Sequence, residues 1–109
     1  MRCIVESTYD PCVKIFAVPG ARFLQGNQFV EFIARHKNSE RYKKWEGYAL
    51  AAKLFTLDNV LSLSISQFRI SIEVACPEDW QKIETRVRET IVLYVVCRRL
   101  IAEAFLRAA

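Results

Sequence analysis

Three hydrophobic periods follow one another without a break between Tyr48 and Val74, YALAAKLFTLDNVLSLSISQFRISIEV, and few folds accommodate that succession. Leu50, Leu54, Phe55 and Leu57 recur at helical spacing among Ala49, Ala51 and Ala52, which are strong helix formers, and Asp58-Asn59 supplies a stop and a turn. The period then changes to two. Leu61, Leu63 and Ile65 alternate with Ser62, Ser64 and Ser66; after Gln67-Phe68, Ile70, Ile72 and Val74 alternate with Arg69, Ser71 and Glu73. One face of this hairpin is apolar and the other is hydroxyl or charged. Such a division predicts an antiparallel sheet with helices over its apolar side only.

The flanking segments extend that plan. Cys3-Ile4-Val5 and Val13 to Val18 are β-rich runs separated by Glu6-Ser7-Thr8-Tyr9-Asp10-Pro11-Cys12. Pro11 fixes its own φ and Asp10 can fold onto the backbone, so this turn is stiff. Pro19-Gly20 ends the second run and residues 19–28 read as a loop. Phe29, Phe32 and Ile33 have helical spacing over about one turn, which predicts a short helix or covering loop. A helix is expected from Ser39, an N-cap ahead of Glu40, with Tyr42, Trp45 and Ala49 on its inner face and a kink at Gly47, where glycine costs about 1 kcal/mol relative to alanine. Cys76-Pro77-Glu78-Asp79-Trp80 opens the last helix, whose stripe of Trp80, Ile83, Val87, Ile91 and Tyr94 faces the sheet. The predicted order is β-β-α-β-β-α. This is an α+β fold with a four-stranded antiparallel sheet, helices on one face and a long C-terminal helix. It forms one domain over residues 1–109, with 92–109 as a helical extension.

Composition narrows the function classes. A chain of 109 residues that is 52% hydrophobic and 26% charged can build one packed core. Its longest apolar run, Ile91 to Cys97, is far short of the roughly 20 residues a membrane span needs, and the start lacks the pattern of a signal peptide. A cytoplasmic chain with no membrane partner is therefore expected. The four cysteines, Cys3, Cys12, Cys76 and Cys97, include no C-x-x-C, and the single histidine, His36, has no neighbouring thiol. The isolated chain is thus expected to hold no stable metal or cofactor, with Cys12 the one weak metal candidate if two chains shared a site. Nor does a catalytic constellation emerge. His36 lies between Arg35 and Lys37 as a surface residue does, and Glu78-Asp79 belongs in a helix first turn for structural reasons, so a non-enzyme is predicted.

The segment Arg35 to Lys44 holds five cations (Arg35, Lys37, Arg41, Lys43, Lys44) and one anion, Glu40, a balance equal to the whole formal excess of +4. Tyr42, Trp45 and Tyr48 interleave with it, the mixture of phosphate contact and stacking used by single-stranded nucleic-acid binders. A small basic nucleic-acid-binding module is accordingly the alternative function. Its competitor is a solvated charge run whose aromatics are core anchors, serving as a docking patch for an acidic protein.

Several of these stretches carry a family resemblance. Glu6-Ser7-Thr8-Tyr9-Asp10-Pro11 leading into the lysine-bearing Val13-Lys14-Ile15 resembles the E-[SP]-T-P-N-P start of the Nfu/NifU N-terminal domain of iron–sulfur cluster assembly. Leu50-Ala51-Ala52-Lys53-Leu54-Phe55-Thr56-Leu57-Asp58-Asn59-Val60 is similar to that family's L-A-K-A-L-F-x-I-D-G-V helix. Ile70-Ser71-Ile72 resembles its I-T-V strand, and Asp79-Trp80 its D-W. The match covers most of residues 2–92. Tyr9, Asp10 and Cys12 depart from the family's first loop, and the region from Phe29 to Trp45 is longer and more basic. In that family the cluster-binding C-x-x-C lies in a following domain. The resemblance therefore implies the accessory half of a scaffold: an adaptor associated with iron only through a cluster on a partner, acting on assembly or recipient proteins.

Two surfaces are expected to do this work. The first loop and basic segment offer Tyr9, Asp10, Cys12, Arg41, Lys43 and Lys44 as partner-binding residues, since interface energy concentrates in aromatics and arginine rather than in the serines of the sheet face. The second surface is the end of the last helix. If that helix runs from Glu78 to Arg107 it is about 45 Å long, whereas a seven-residue strand reaches about 23 Å. Leu93, Val96, Cys97, Leu100, Ile101, Ala104 and Phe105 still recur there at three- and four-residue steps. Either the Phe29 to Ile33 segment covers them or the same helix of a second subunit does; the second option, a homodimer through Leu93, Cys97, Leu100, Ile101 and Phe105, is preferred because the first offers too few apolar residues.

Overall fold

The computed structural model describes residues 1–108. Its elements are β1 (Ile4–Ser7), β2 (Val13–Ala17), β3 (Val30–Ile33), a 3-10 turn (Ala34–His36), α1 (Glu40–Lys43), α2 (Tyr48–Leu54), β4 (Val60–Ile65), β5 (Ile70–Val74) and α3 (Asp79–Ala108). The strands form one antiparallel sheet in the order β1-β2-β5-β4-β3. Phe16, Phe32, Leu63, Ile65, Ile70, Ile72 and Val74 are buried on its inner face, under α2 and α3. Ser62, Ser64, Ser71 and Glu73 alternate with them on the outer face, as period two requires.

The sequence predicts four strands and the sheet has five. The addition is β3, drawn from the segment expected to be a short helix or covering loop. Phe29, Phe32 and Ile33 share a helical step, but Val30 and Phe32 equally share a strand face, and four residues cannot separate the two periods. Pairing decides between them. Val30 lies opposite Ile65 and Phe32 opposite Leu63, so that the Phe32 ring is wholly removed from water at the sheet edge.

The helix expected from Ser39 onward is two helices. Ser39 caps the first as anticipated, its Oγ accepting the Arg41 N–H at 3.3 Å. Gly47 then takes φ 90°, in the left-handed region, and the chain restarts as α2 in a new direction. This break lets Tyr42 and Trp45 turn back onto Phe32, with ring centroids 5.0 Å apart for Tyr42–Phe32 and 5.9 Å for Trp45–Phe32. The Tyr42 hydroxyl accepts the Ile33 N–H at 3.1 Å, tying α1 to the β3 edge. A second departure lies in β4. Val60 faces Val74 while Ser62 already faces Glu73, so Leu61 is the extra residue of a β-bulge and points outward, leaving Val60, Leu63 and Ile65 as the buried set.

Helix α3 lies along the sheet through Trp80, Ile83, Val87, Ile91 and Val95, all buried. Val95, one step of four beyond Ile91, continues the stripe in place of the predicted Tyr94, which is half-buried at its side. From Val96 to Ala108 no residue is buried. A helix of 30 residues is about 45 Å long, whereas β5, with five, extends about 17 Å. The protein accordingly measures 48 × 32 × 25 Å along its principal axes. Leu93, Cys97, Leu100, Ile101 and Phe105 are exposed. The Phe29 to Ile33 segment is committed to the sheet edge, with Phe29 and Ile33 themselves exposed, so it does not cover them.

Gly47 provides a direct check of this packing. A Cβ there would lie 3.2 Å from Ile65 Cδ1 and 3.3 Å from Leu24 Cδ2, on a backbone that alanine adopts only under strain. Gly47→Ala should destabilise the fold by about 1–3 kcal/mol in urea unfolding. An unchanged midpoint would place no constraint at the α1–α2 junction.

Candidate functional site

The turn between β1 and β2 is short, polar and fixed at every step. Thr8 Oγ1 accepts the Asp10 N–H at 3.2 Å and sits within bonding distance of the Asp10 and Val13 carbonyls, at 2.9 and 3.0 Å. Asp10 Oδ1 accepts the Cys12 N–H at 2.9 Å, and the Asp10 carbonyl accepts the Val13 N–H at 3.0 Å. This is what a Thr-x-Asp-Pro sequence can do: side chains supply the acceptors that a tight turn denies its own backbone. The consequence falls on Tyr9. With both neighbours held, its ring stands clear of the protein at a relative exposure of 102%.

The far side of the turn is riveted to the start of α3. The Cys12 carbonyl accepts the Val74 N–H at 2.9 Å and the Trp80 indole Nε1–H at 3.2 Å. Trp80 also packs on Phe16, with centroids 5.6 Å apart, and carries the Lys14 ammonium 5.5 Å over its ring. Lys14 is an inward-facing lysine on β2 and ion-pairs with Glu84 of α3, both side chains about one-quarter exposed. The start of the helix is closed by Asp79, which is only 8% exposed. It turns its carboxylate back to the Cys76 N–H at 3.0 Å, the reciprocal half of a capping box.

Two thiols therefore meet at this end of the sheet. The β2–β5 register sets Val13 opposite Glu73, which brings Cys12 alongside the Ala75–Cys76 turn, with its Sγ 4.0 Å from the Ala75 carbonyl. Burial pushes the Cys12 thiol above its ordinary pKa, and the charges of Asp10, Cys76, Glu73 and Glu78 push it further the same way. Cys12 is half-buried and Cys76 exposed, so the turn's most accessible sulfur is the one that sequence reasoning passed over. Its only signal was a place next to Pro77 at a helix start; the β2–β5 pairing that brings it here is not local.

The other expected contact residues lie elsewhere. Arg41, Lys43 and Lys44 belong to α1 and its C-cap, beyond β3, whereas the turn joins β1 to β2 at the opposite edge. Between β2 and β3 lie three strand spacings, about 14 Å. The Arg41 guanidinium stacks over the Trp45 ring at 5.5 Å, and Lys43 pairs with Glu40 at 2.6 Å. That hydrogen bond, with the Glu40 charge behind it, raises the Lys43 pKa. Lys44 is exposed and lines a groove of about 610 Å³ with Phe29, Glu31, Trp45 and Glu46. Tyr42 is buried in the cluster on Phe32 and Trp45 is half-buried there, with the Arg41 guanidinium over its ring, so both serve the core rather than standing free to stack on a base. With Tyr42 buried and Trp45 and Tyr48 both half-buried, the nucleic-acid alternative is not favoured.

Thiol alkylation reads this geometry directly. With iodoacetamide at pH 8, peptide mapping should find Cys76 and Cys97 modified first, Cys12 later and the buried Cys3 last. Raising the pH should speed Cys12, because burial and the acidic groups around it hold its thiol pKa above the ordinary value. Faster labelling of Cys12 than Cys76 at pH 8 would contradict the arrangement.

The comparisons agree with this anatomy. No curated protein matches the chain. The family model for the scaffold protein Nfu/NifU N terminal matches residues 4–96, a span that begins with β1 and stops one residue after Val95, the last buried position on α3. With a matched region coinciding with the whole packed body, the chain belongs to the Nfu/NifU N-terminal scaffold family.

Proposed function

We propose that this chain is a non-catalytic accessory domain of iron–sulfur cluster assembly, working in the cytoplasm through protein–protein contacts and carrying no resident cluster of its own. The observation that supports it most is the family match across β1 to Val95, read together with the fixed turn at one end of the sheet. A rigid turn with a fully exposed tyrosine loses little freedom when a partner closes on it, which is where contact energy is gained most cheaply. The same turn carries Asp10 and Cys12, and through Cys12 it meets the Ala75 carbonyl and Trp80 at the start of α3. The iron–sulfur cluster, in this reading, is cargo of the partner, which brings its own cysteine pair. Among the described residues no three histidine, cysteine or carboxylate side chains converge as a metal site, and no helix is long and apolar enough to cross a membrane. Arg41, Lys43 and Lys44 form a second, electrostatic contact at the other edge, steering an acidic partner rather than anchoring it.

Capture of cluster-assembly proteins on the immobilised chain, with mass spectrometry, tests the proposal. Tyr9→Ala should lower the affinity for a captured C-x-x-C scaffold by about ten-fold or more. Lys43→Glu with Lys44→Glu should weaken it chiefly at low salt. Equal capture by parent and variants, or an absence of cluster-assembly proteins among those captured, would overturn the reading.

The tail of α3 completes it with a second copy of the chain. Leu93, Cys97, Leu100, Ile101 and Phe105 repeat at the three- and four-residue steps of a helix–helix seam and are exposed, with Lys53 and Thr56 bordering the groove at Leu93, Cys97 and Ile101. A self-complementary stripe of this kind suits a two-fold dimer, in which each tail covers the other. Sedimentation at tens of micromolar should give a dimer for the parent and a monomer for Leu100→Glu plus Phe105→Glu; a monomeric parent would sink the pairing.

A further inference from the structure

At the end of the sheet opposite the thiols, a pocket of about 220 Å³ opens between the loop after β2 and the face of α3. Its floor is Val95, and its walls are Gly20, Ala21, Arg22, Arg98 and Arg99. No carboxylate lines it. Among the described residues the ion pairs are Lys14 with Glu84 and Lys43 with Glu40, and none of these three arginines takes part in one.

Arginines at the surface ordinarily fan out into water, away from one another. Arg98 and Arg99 do the reverse and converge on the same turn. Arg98 Nη1 reaches the Arg22 carbonyl, at 3.5 Å, while its guanidinium lies 5.4 Å over the Tyr94 ring. Arg99 folds against Gly20, its Nη2 3.8 Å from the place a Cβ would occupy. The Arg22 guanidinium is itself held, 5.7 Å over the Phe68 ring.

The turn that receives them is rigid. The Ala21 N–H donates to the Val18 carbonyl at 2.9 Å across Pro19-Gly20, with Gly20 at φ 81°. Proline followed by a left-handed glycine is the sequence of a type II turn. The Phe23 N–H then donates to the Gln67 carbonyl at 2.7 Å and fixes the loop to the β4–β5 hairpin. Two guanidiniums brought together over such a turn leave most of their N–H donors unspent, since each carries five in a planar fork.

The geometry points to an oxyanion-binding pocket, taking the phosphate or carboxylate group of a small molecule between Arg98 and Arg99 against the Pro19–Arg22 turn. The chemistry is that of charge-assisted, bidentate hydrogen bonds from the guanidiniums. The size agrees. A volume of 220 Å³ holds an oxyanion group and a few waters, at about 30 Å³ of liquid for each water, and falls below the ~300–1,000 Å³ of pockets that enclose a whole drug-sized ligand. The remainder of the ligand therefore lies outside the pocket, along the exposed surface of α3. This site is separate from the proposed partner contact at the other end of the sheet and stands or falls without it.

Titration of the intact ¹⁵N-labelled protein with inorganic phosphate, and separately with citrate, tests the assignment, with ionic strength held constant by chloride. Saturable shifts should appear at the Gly20, Ala21 and Arg22 amides, and the Kd should rise about ten-fold or more in Arg98→Gln plus Arg99→Gln, the effect of losing one charge-assisted hydrogen bond. Saturation by phosphate alone identifies a phosphoryl ligand, and by citrate alone a carboxylate. Both variant positions are exposed and outside the core, and the dispersion of the same spectra reports whether the double variant is folded. Lys82→Gln, exposed near the start of α3, should leave the Kd unchanged. Linear, unsaturating shifts with both anions would overturn the assignment, as would an unaltered Kd in the folded double variant.

Discussion

Pairing of β2 with β5 is the contact on which the rest of this molecule depends. It joins two hairpins whose residues are nearly sixty positions apart in the chain, Val13 meeting Glu73 and Phe16 meeting Ile70. Without it there is an N-terminal hairpin with one apolar face and a separate hairpin under α2, neither wide enough to exclude water. With it the sheet spans five strands, and the inner face becomes broad enough for α3 to lie on. The cost is loop closure over a long stretch of chain, which grows only slowly with length. What compensates is the burial of Phe16, Ile70, Ile72 and Trp80 in one cluster.

The same pairing builds the working end. Because Val13 stands opposite Glu73, the Cys12 carbonyl reaches both the Val74 amide and the Trp80 indole, and the turn before it is held by strand and helix together. Lys14 strengthens this join from inside. An ammonium under a helix is costly to desolvate, but here it has a carboxylate from Glu84 and the face of Trp80, and about a quarter of it still meets solvent. Asp79, which is buried, has its carboxylate spent on the Cys76 amide. Core packing and surface geometry are thus the same set of interactions seen from two sides.

Much of this could be read from the chain. The change of period at Asn59, the alternation through β4 and β5, the Ser39 cap and the Trp80 stripe are local, and local signals survive without knowledge of the fold. The misreadings share a cause. Val30 to Ile33 is too short for its period to be told from a helical turn, and only its pairing with β4 makes it a strand. Leu61 looks inward by alternation and outward by structure because one extra residue shifts the phase. Gly47 reads as a cost in a helix, whereas its φ makes it a boundary between two. At the candidate site, Tyr9, Asp10 and Cys12 were visible as a stiff turn, but Cys76, Trp80 and Lys14 join them through tertiary contacts between distant residues. The arginine pocket was hidden for the same reason, its two walls lying more than seventy residues apart in the chain.

Those two ends of α3 differ in charge as well as in chemistry. Asp10, Glu73, Glu78 and Asp79 gather where the helix begins, and Arg22, Arg98 and Arg99 where it leaves the sheet. Asp79 in the first turn of α3 and Arg107 in its last each oppose the partial charge of the terminus beside them, which is the stabilising sense. The groups gathered at the two ends of the sheet are thus opposite in sign. Close to a charged surface, these two groups favour presenting the arginine end to an anionic one and the tyrosine-tipped turn to a cationic one. Orientation of approach is thereby set by the placement of a few ionised groups, independently of which contacts form afterwards.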